Sequence, residues 1–242
     1  MDAKVRLYVD QPLGVGQAVA VGPEQANYLF SVMRLAVGAG VRLFNGRDGE
    51  WLARVQDAGK RRGALICDHQ TGPQQNPPDL WLLFSPIKKE RTNFIVEKAV
   101  ELGVARVMPV TTRFTSSERW RQDKHIAHAI EAAEQCGATS VPEVCEIESL
   151  DHILSNWPEE RALIWADEAL AGQAPARVGV IAPATPSAIL IGPEGGFSDA
   201  EKARLRSLPF VRPIRLGPRI LRAETAVMAA LVLWQVQAGD WA

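Results

Sequence analysis

Hydrophobic and polar positions change rhythm once along this chain. Short alternating runs come first: VRLYV (Val5 to Val9), QAVAV (Gln17 to Val21), VRLFN (Val41 to Asn45), WLARV (Trp51 to Val55) and ALICD (Ala64 to Asp68), separated by turns such as NGRDGE. Short strands at regular spacing, with turn residues between them, predict a small β-barrel, interrupted by one helix from Glu24 to Arg34. GVGQAV (Gly14 to Val19) imitates a dinucleotide GxGxxG, but it lacks the third glycine and no helix follows, so it reads as a hairpin turn. TGPQQNPPD (Thr71 to Asp79), with three prolines, reads as the linker that ends this region.

Beyond the linker, apolar runs alternate with helical periodicity. Strands are predicted at Leu80–Ser85, Arg106–Val110, Glu143–Ile147, Ala162–Ala166, Ala188–Gly192 and Val211–Arg215. Helices are predicted at Glu90–Leu102, Lys124–Cys136, Ala200–Leu208 and Ala223–Gln237. Such alternation implies an α/β domain with a mostly parallel sheet covered on both faces. Ser198 and Glu201 form an S-x-x-E capping box that fixes a helix start. In the last helix, Val227, Met228, Leu231, Val232, Leu233, Trp234 and Val236 cover nearly the whole circumference. A helix apolar all round is buried on more than one side, either inside its own domain or between its sheet and a second subunit.

Composition narrows the classes. Hydrophobic residues are 47% and charged residues 23%, an ordinary globular balance, and the net charge of -1 shows no global basic field for nucleic acid, although a local patch suffices. Cys67, Cys136 and Cys145 have no CxxC spacing, which argues against a disulfide framework or a zinc site and fits a reducing compartment. No signal peptide and no membrane-length apolar run is visible, so a cytoplasmic location and no bound metal are the expectations.

The chemistry concentrates near the C-terminus. IGPEGGFSDAE (Ile191 to Glu201) and RLGPRILRAETA (Arg215 to Ala226) each follow an apolar run and lead into a helix. Ligands of α/β sheets sit beyond the carboxyl ends of the strands, and glycines there let a ligand approach the main chain. A phosphate-binding P-loop needs a lysine; here Glu194 puts a negative charge in the loop instead, which suits a neutral or cationic nucleoside ligand. The bland alternative is a tight strand-to-helix turn. The second motif crowds Arg215, Arg219 and Arg222 beside Glu224; arginine forks suit phosphates or base carbonyls, while Glu224 alone could simply offset a helix dipole. Lys88, Lys89 and Arg91 stand at another strand-to-helix junction, where positive charge opposes the dipole and hints at an anionic partner. Glu97 and Glu101 repel four residues apart and call for a compensating arginine, in this chain or in another. His69, His125, His128 and His152 are scattered, with His125 and His128 expected on an exposed helix face. Cys136 and Cys145 read as core thiols, and Ser85, Ser116 and Ser117 lack a nucleophile elbow.

Taken together, IGPEGGFSDAE and RLGPRILRAETA closely resemble the RsmE family of ribosomal RNA methyltransferases, within the SPOUT superfamily. YLFSVMRLAVGAGVRLFNGRDGEW resembles that family's PUA-like barrel, and IKKERTNFIVEKAVELGV, TTRFTSSER and the EQCG at Glu134 to Gly137 fit as well. The resemblance implies a PUA-like RNA-binding barrel over residues 1–72 and an α/β methyltransferase domain over residues 73–242, tied in a deep trefoil knot. It implies a homodimer, favouring intersubunit burial of the last helix. It implies S-adenosylmethionine on Ala166, Asp167, Ile191, Gly192, Pro193, Glu194, Gly195, Gly196, Leu216, Gly217, Ile220 and Leu221. The acceptor it implies is N3 of a uridine in the decoding region of 16S rRNA, within the small subunit. In the family that this chain resembles an arginine usually follows EQ-x-G, where this chain has Ala138.

In that frame Arg222 is the candidate to stabilise charge on the uracil carbonyls, with Glu224 orienting it or accepting the N3 proton. Arg6, Arg34, Lys88, Lys89, Arg91 and Arg113 are the candidates for RNA phosphates. The competing readings are a methyltransferase for another RNA, a non-catalytic RNA-binding assembly factor, and a nucleotide-dependent α/β enzyme.

Overall fold

The structure, a computed structural model, describes residues 3–116, 119–171 and 186–242. Ser117 and Glu118, within the motif TTRFTSSER, lie outside the described residues. The chain divides into two compact units, Met1–Asn76 with Ala133–Val141, and Pro77–Ala132 with Pro142–Ala242. The return of Ala133–Val141 to the first unit is something no single cut between residues 72 and 73 expresses.

The first unit is a five-stranded sheet in the order β1-β3-β4-β5-β2. Its strands are β1 (Arg6–Tyr8), β2 (Ala18–Val21), β3 (Gly40–Phe44), β4 (Glu50–Ala58) and β5 (Gly63–Gly72). All five expected runs form strands, because every second residue is apolar. Val5, Leu7, Val9, Val19, Val21, Val41, Leu43, Ala53, Val55, Leu65 and Cys67 share one core. Three irregularities in the β4–β5 register bend the sheet around that core. β1 runs parallel to β3, and β2 pairs with β5, so the glycine turn at Gly14–Gly16 joins strands that are not neighbours and is not a hairpin. The helix expected at Glu24–Arg34 forms as a short α1 (Pro23–Ala26) widening into a π-helical turn, Asn27–Val32. β5 reaches Gly72, two residues into the presumed linker.

The second unit carries a parallel sheet in the order β12-β10-β11-β6-β7-β8. Its strands are β6 (Leu80–Phe84), β7 (Arg106–Thr111), β8 (Glu143–Val144), β9 (Glu148–Ser149, on β7), β10 (Ala162–Ala166), β11 (Ser187–Ile191) and β12 (Val211–Ile214). Of the run Glu143–Ile147, predicted as one strand, only Glu143–Val144 forms one, and β9 begins just past it. Helices α2 (Lys89–Glu101), α3 (Gln122–Cys136), α5 (Asp199–Ser207) and α6 (Ala223–Ala238) fall where periodicity puts them. α4 (Leu150–Ser155) was not anticipated, although Ser149 caps it and Leu150, Ile153 and Leu154 mark its buried face.

β11 is buried at every position, as a central strand covered on both faces must be. Leu83, Leu163, Trp165, Ala188 and Leu190 pack with α4 and α5 residues, while α6 contacts β11 and α2. Gln235, fully buried on α6, donates to Leu102 O (2.6 Å) and accepts from Asp240 N–H (3.1 Å), tying the ends of α2 and α6 together. The other side of α6 leaves Val232 and Val236 exposed, with Phe94 of α2 and Trp241 also exposed. The repulsion between Glu97 and Glu101 is relieved not by an arginine but by the neighbouring Lys98, 2.8 and 2.7 Å from them.

Three smaller expectations are corrected. His125 is buried, stacked on Trp120 at 3.8 Å between ring centroids, and His128 is half-buried. Burial, then the neighbouring His128, lowers the His125 pKa to about 4. Cys136 is exposed rather than a core thiol.

Candidate functional site

β6, β10, β11 and β12 are parallel neighbours, so their carboxyl ends meet at one edge of the sheet. β11 and β12 flank β10, so the loops leaving them close over its end. Asp167 N–H donates to Ile214 O (3.1 Å) and Ser85 N–H to Ile191 O (3.2 Å), stitching these loop starts together. Above them lies a cavity of about 540 Å³, within the roughly 300–1,000 Å³ typical of small-molecule sites.

The two glycine motifs share this cavity. Of the expected cofactor residues, Ala166, Asp167, Ile191, Gly192, Pro193, Glu194, Gly196, Leu216, Gly217, Ile220 and Leu221 line it. Gly195 does not; its Cα faces the Phe114 side chain, where a Cβ would come within 3.1 Å. Gly196 has φ of 70° and donates its N–H to Pro193 O (2.9 Å). A Cβ at Gly196 would meet only the movable carboxylate of the exposed Glu168, so it is the left-handed backbone that calls for glycine there. The loop is then fixed from behind: Ser198 N–H donates to Glu201 Oε2 (2.8 Å) and Ser198 Oγ accepts from Glu201 N–H (3.3 Å), the full capping box of α5. Arg113 N–H donates to Glu201 Oε1 (2.8 Å). Thus Arg113's main chain braces the loop, while its exposed side chain lies outside the cavity lining.

Charge in the cavity is mostly neutralised. Arg91 lines the wall and donates to Glu194 Oε1 (2.7 Å), with its Nε 3.5 Å from Glu224 Oε1. The anionic partner inferred for Arg91 therefore lies within the chain, and Arg91 is corrected from a phosphate ligand to a wall cation. The negative charge of Glu194 is correspondingly offset, which removes it as an argument for a cationic ligand. Asp167, buried, accepts from Ala169 N–H (3.1 Å) and Arg206 Nη2 (2.8 Å), so its carboxylate is already engaged. Lys202 stands 3.5 Å from Glu168.

Arg222 is the N-cap residue of α6 and lines the cavity with an exposed side chain. Among the described residues the side chains of Arg222 and Arg219 make no hydrogen bond or ion pair, and that of Lys88 at the start of α2 is likewise unpaired. Glu224 lies one residue inside α6; its charged partner is Arg91, not Arg222, so no bond supports Glu224 orienting Arg222. Its Oε2 is buried with no hydrogen-bond partner. Lys89 is exposed and outside the lining.

Arg6 is the clearest correction. Its guanidinium is turned inward, with 11% of the side chain exposed, bonded to Glu50 Oε2 (2.8 Å) and stacked on the Phe44 ring (4.6 Å). It also donates to the carbonyls of Ala133 (2.6 Å), Glu134 (3.2 Å) and Ala138 (2.7 Å), capping the end of α3. Glu134 Oε1 accepts from Tyr8 N–H (2.9 Å). With its donors committed, Arg6 is a structural cap and not a phosphate ligand. Ala138 contributes its carbonyl to that cap.

Among the described residues no group of three or more histidine, cysteine, aspartate or glutamate side chains is arranged to hold a metal, and no helix is long and apolar enough to cross a membrane.

Comparison with known proteins agrees with this geometry. The family of RNA methyltransferase domains matches residues 74–235, and that of RNA methyltransferase PUA domains matches residues 21–66. Ribosomal RNA small subunit methyltransferase E of Rickettsia conorii is 28% identical over 228 residues, 93% of each chain. The structure of the same-named protein from Neisseria gonorrhoeae, bound to S-adenosyl methionine, aligns with a TM-score of 0.86 at 28% identity, covering 98% of this chain and 99% of that one. A Legionella pneumophila protein solved with bound SAM aligns with a TM-score of 0.85 at 30% identity, covering 98% of both chains. By the extent of these matches, the chain belongs to the RNA methyltransferase family that includes ribosomal RNA small subunit methyltransferase E.

Proposed function

We propose that the protein transfers a methyl group from S-adenosylmethionine to N3 of a uridine in the decoding region of 16S rRNA. The observation that carries this reading is the meeting of both glycine motifs in one cavity whose rim holds unpaired cations. The donor set suits an adenosyl compound: loop backbone at Ile191–Glu194 and Leu216–Leu221, and aliphatic walls from Ile191, Leu216 and Ile220. The missing Cβ at Gly196 keeps that loop in its tight turn.

Bound there, S-adenosylmethionine supplies an electrophilic methyl. The protein's own work is positioning, which alone can account for much of such a barrier. Arg222, exposed and unpaired at the cavity mouth, donates to the uracil carbonyls as negative charge develops on the base. Glu224 Oε2, buried and without a donor, is the available acceptor for the N3 proton, with Arg91 holding the other oxygen's side of that carboxylate. Lys88 and Arg219 hold the flanking phosphates, and the exposed Lys89 and Arg113 extend that role. The target base leaves its stack to reach the cavity.

Two further features belong to this reading. The exposed apolar residues Phe94, Val232, Val236 and Trp241 are the surface of a homodimer. A trefoil knot accounts for the C-terminal path: β12 lies at the sheet edge beyond β10, yet the chain returns through α6 to β11 and α2.

Titration calorimetry with S-adenosylmethionine tests the cavity assignment. Saturable one-site binding, weakened at least about tenfold by Gly196→Ala, is the expected result. Absence of binding overturns it and favours an RNA-binding assembly factor.

A further inference from the structure

The segment that leaves β7 turns an aromatic ring out to solvent. Thr115 N–H donates to Thr112 O (3.2 Å), closing a four-residue turn with Arg113 and Phe114 at its centre, both exposed. The backbone of this turn is held from several sides. Thr112 N–H donates to Thr115 Oγ1 (2.7 Å), the hydroxyls of Thr115 and Ser85 lie 2.6 Å apart, and Ser85 Oγ donates to Val110 O (3.0 Å). Arg113 N–H donates to Glu201 Oε1 (2.8 Å). Ser85 follows β6 and Glu201 lies in the first turn of α5, so two other elements fasten the turn.

That fastening sets Phe114 beside the cavity. Its Cβ and Cγ lie over Gly195, where an added Cβ would come within 3.1 Å, and the residues on either side of Gly195, Glu194 and Gly196, line the cavity. Phe114 is 48% exposed, and among the described residues its ring has no aromatic or cationic partner. The Arg113 side chain next to it is likewise unpaired. The other exposed phenylalanine and tryptophan rings, Phe94 and Trp241, belong to the apolar surface already assigned to the homodimer. A single exposed apolar residue is ordinary on a protein surface. A ring on a pinned backbone, at the rim of a cavity of nucleoside size and beside an idle guanidinium, has a use for its face.

We infer that Phe114 is a stacking platform for the base next to the methylated nucleotide, with Arg113 holding the phosphate of that neighbour. The inference rests on the methyltransferase reading above. A base that leaves its stack to enter the cavity deprives its neighbour of a stacking partner, and a ring at the cavity rim replaces that partner. Every base has a π-face, so the contact places the strand without choosing its sequence. A nucleotide fits this pair of residues better than a peptide does, because the ring meets the base while the arginine fork meets the phosphate beside it.

The test measures binding of the full-length protein to purified small ribosomal subunits across a salt series, with S-adenosylmethionine affinity, melting temperature and oligomeric state measured separately. For Phe114→Ala, affinity for subunits should fall about 5- to 150-fold, the range for losing one stacked base. The slope of log affinity against log salt should stay as in the wild type, and so should cofactor affinity and melting temperature. Phe114→Trp should restore binding. Phe114→Leu, which keeps an apolar side chain over Gly195 but has no π-face, should not. Arg113→Ala should lower the slope by about 0.7, the release expected for one phosphate of a single strand. Unchanged subunit affinity in Phe114→Ala overturns the platform, and so does full rescue by Phe114→Leu. A change of oligomeric state in Phe114→Ala also overturns it, because a second copy of the chain would then cover the ring. Subunit binding that needs the Phe114 ring, in a protein that fails to bind S-adenosylmethionine, would overturn the methyltransferase reading and leave the platform standing.

Discussion

Two arginine sites in this molecule look alike in sequence and differ in every physical respect. Arg6 sits among a carboxylate, an aromatic ring and three main-chain carbonyls, almost wholly covered. Arg222 sits at the mouth of a cavity, exposed, with no partner among the described residues. An arginine whose donors are spent inside the chain maintains the fold; one whose donors are idle beside a cavity waits for something the chain does not contain. The count of available partners, not the residue type, separates the two.

The same substitution should therefore give opposite results at the two sites. Arg6→Ala leaves Glu50 partly buried beside a more distant Arg42. Burial raises the Glu50 pKa, but bonds from Arg6 and Thr71 and the charges of Arg6 and Arg42 outweigh it and hold the carboxyl below its ordinary value. Stability should drop by about 3 to 5 kcal/mol, the usual loss when one partner of a buried pair is removed, as read by urea unfolding. The Glu50 part of that stabilisation is present above the unfolded carboxyl's pKa and disappears as pH falls through the lowered folded one.

Arg222→Ala should leave the unfolding curve unmoved and cofactor binding within a few fold. Methyl transfer should fall about 10²- to 10³-fold, the range for losing a donor that acts on developing charge. A variant still active within a few fold removes Arg222 from the mechanism.

The glycine loop sharpens the contrast. Gly196→Ala should lose about 1 to 3 kcal/mol through backbone strain and weaken the cofactor site. Gly195→Ala should do less, since Gly195 is not among the glycines of positive φ and lies outside the lining. Melting temperature and cofactor affinity for the pair read the difference.

The smallest effect concerns His125. Burial lowers its pKa to about 4 from 6.5, so protonation favours the unfolded chain. Stability should be full above pH 6.5 and decline as pH falls towards 4, by about 1 kcal/mol between pH 7.5 and 5.5. His125→Phe should flatten that part of the pH profile in chemical unfolding.

Much of the architecture was legible because it rests on local periodicity. Period-two runs mark the strands of the first sheet, continuous apolar runs those of the second, and the capping pair Ser198–Glu201 marks the start of α5. The cavity was legible because glycine and proline mark where backbone must turn sharply. What stayed hidden depends on partners far away in sequence. Arg6 finds carbonyls more than 120 positions away, and Arg91 finds Glu194 at a separation of 103. The shift from α- to π-helical winding at Asn27 and the short α4 carry too few residues for a period to show.

The most direct measurement is methylation of purified small ribosomal subunits with labelled S-adenosylmethionine, followed by location of the modified base. Label on N3 of a single decoding-region uridine, lost with Arg222→Ala, is the predicted result. No incorporation, or methyl on a ribose or on another base, would contradict the account.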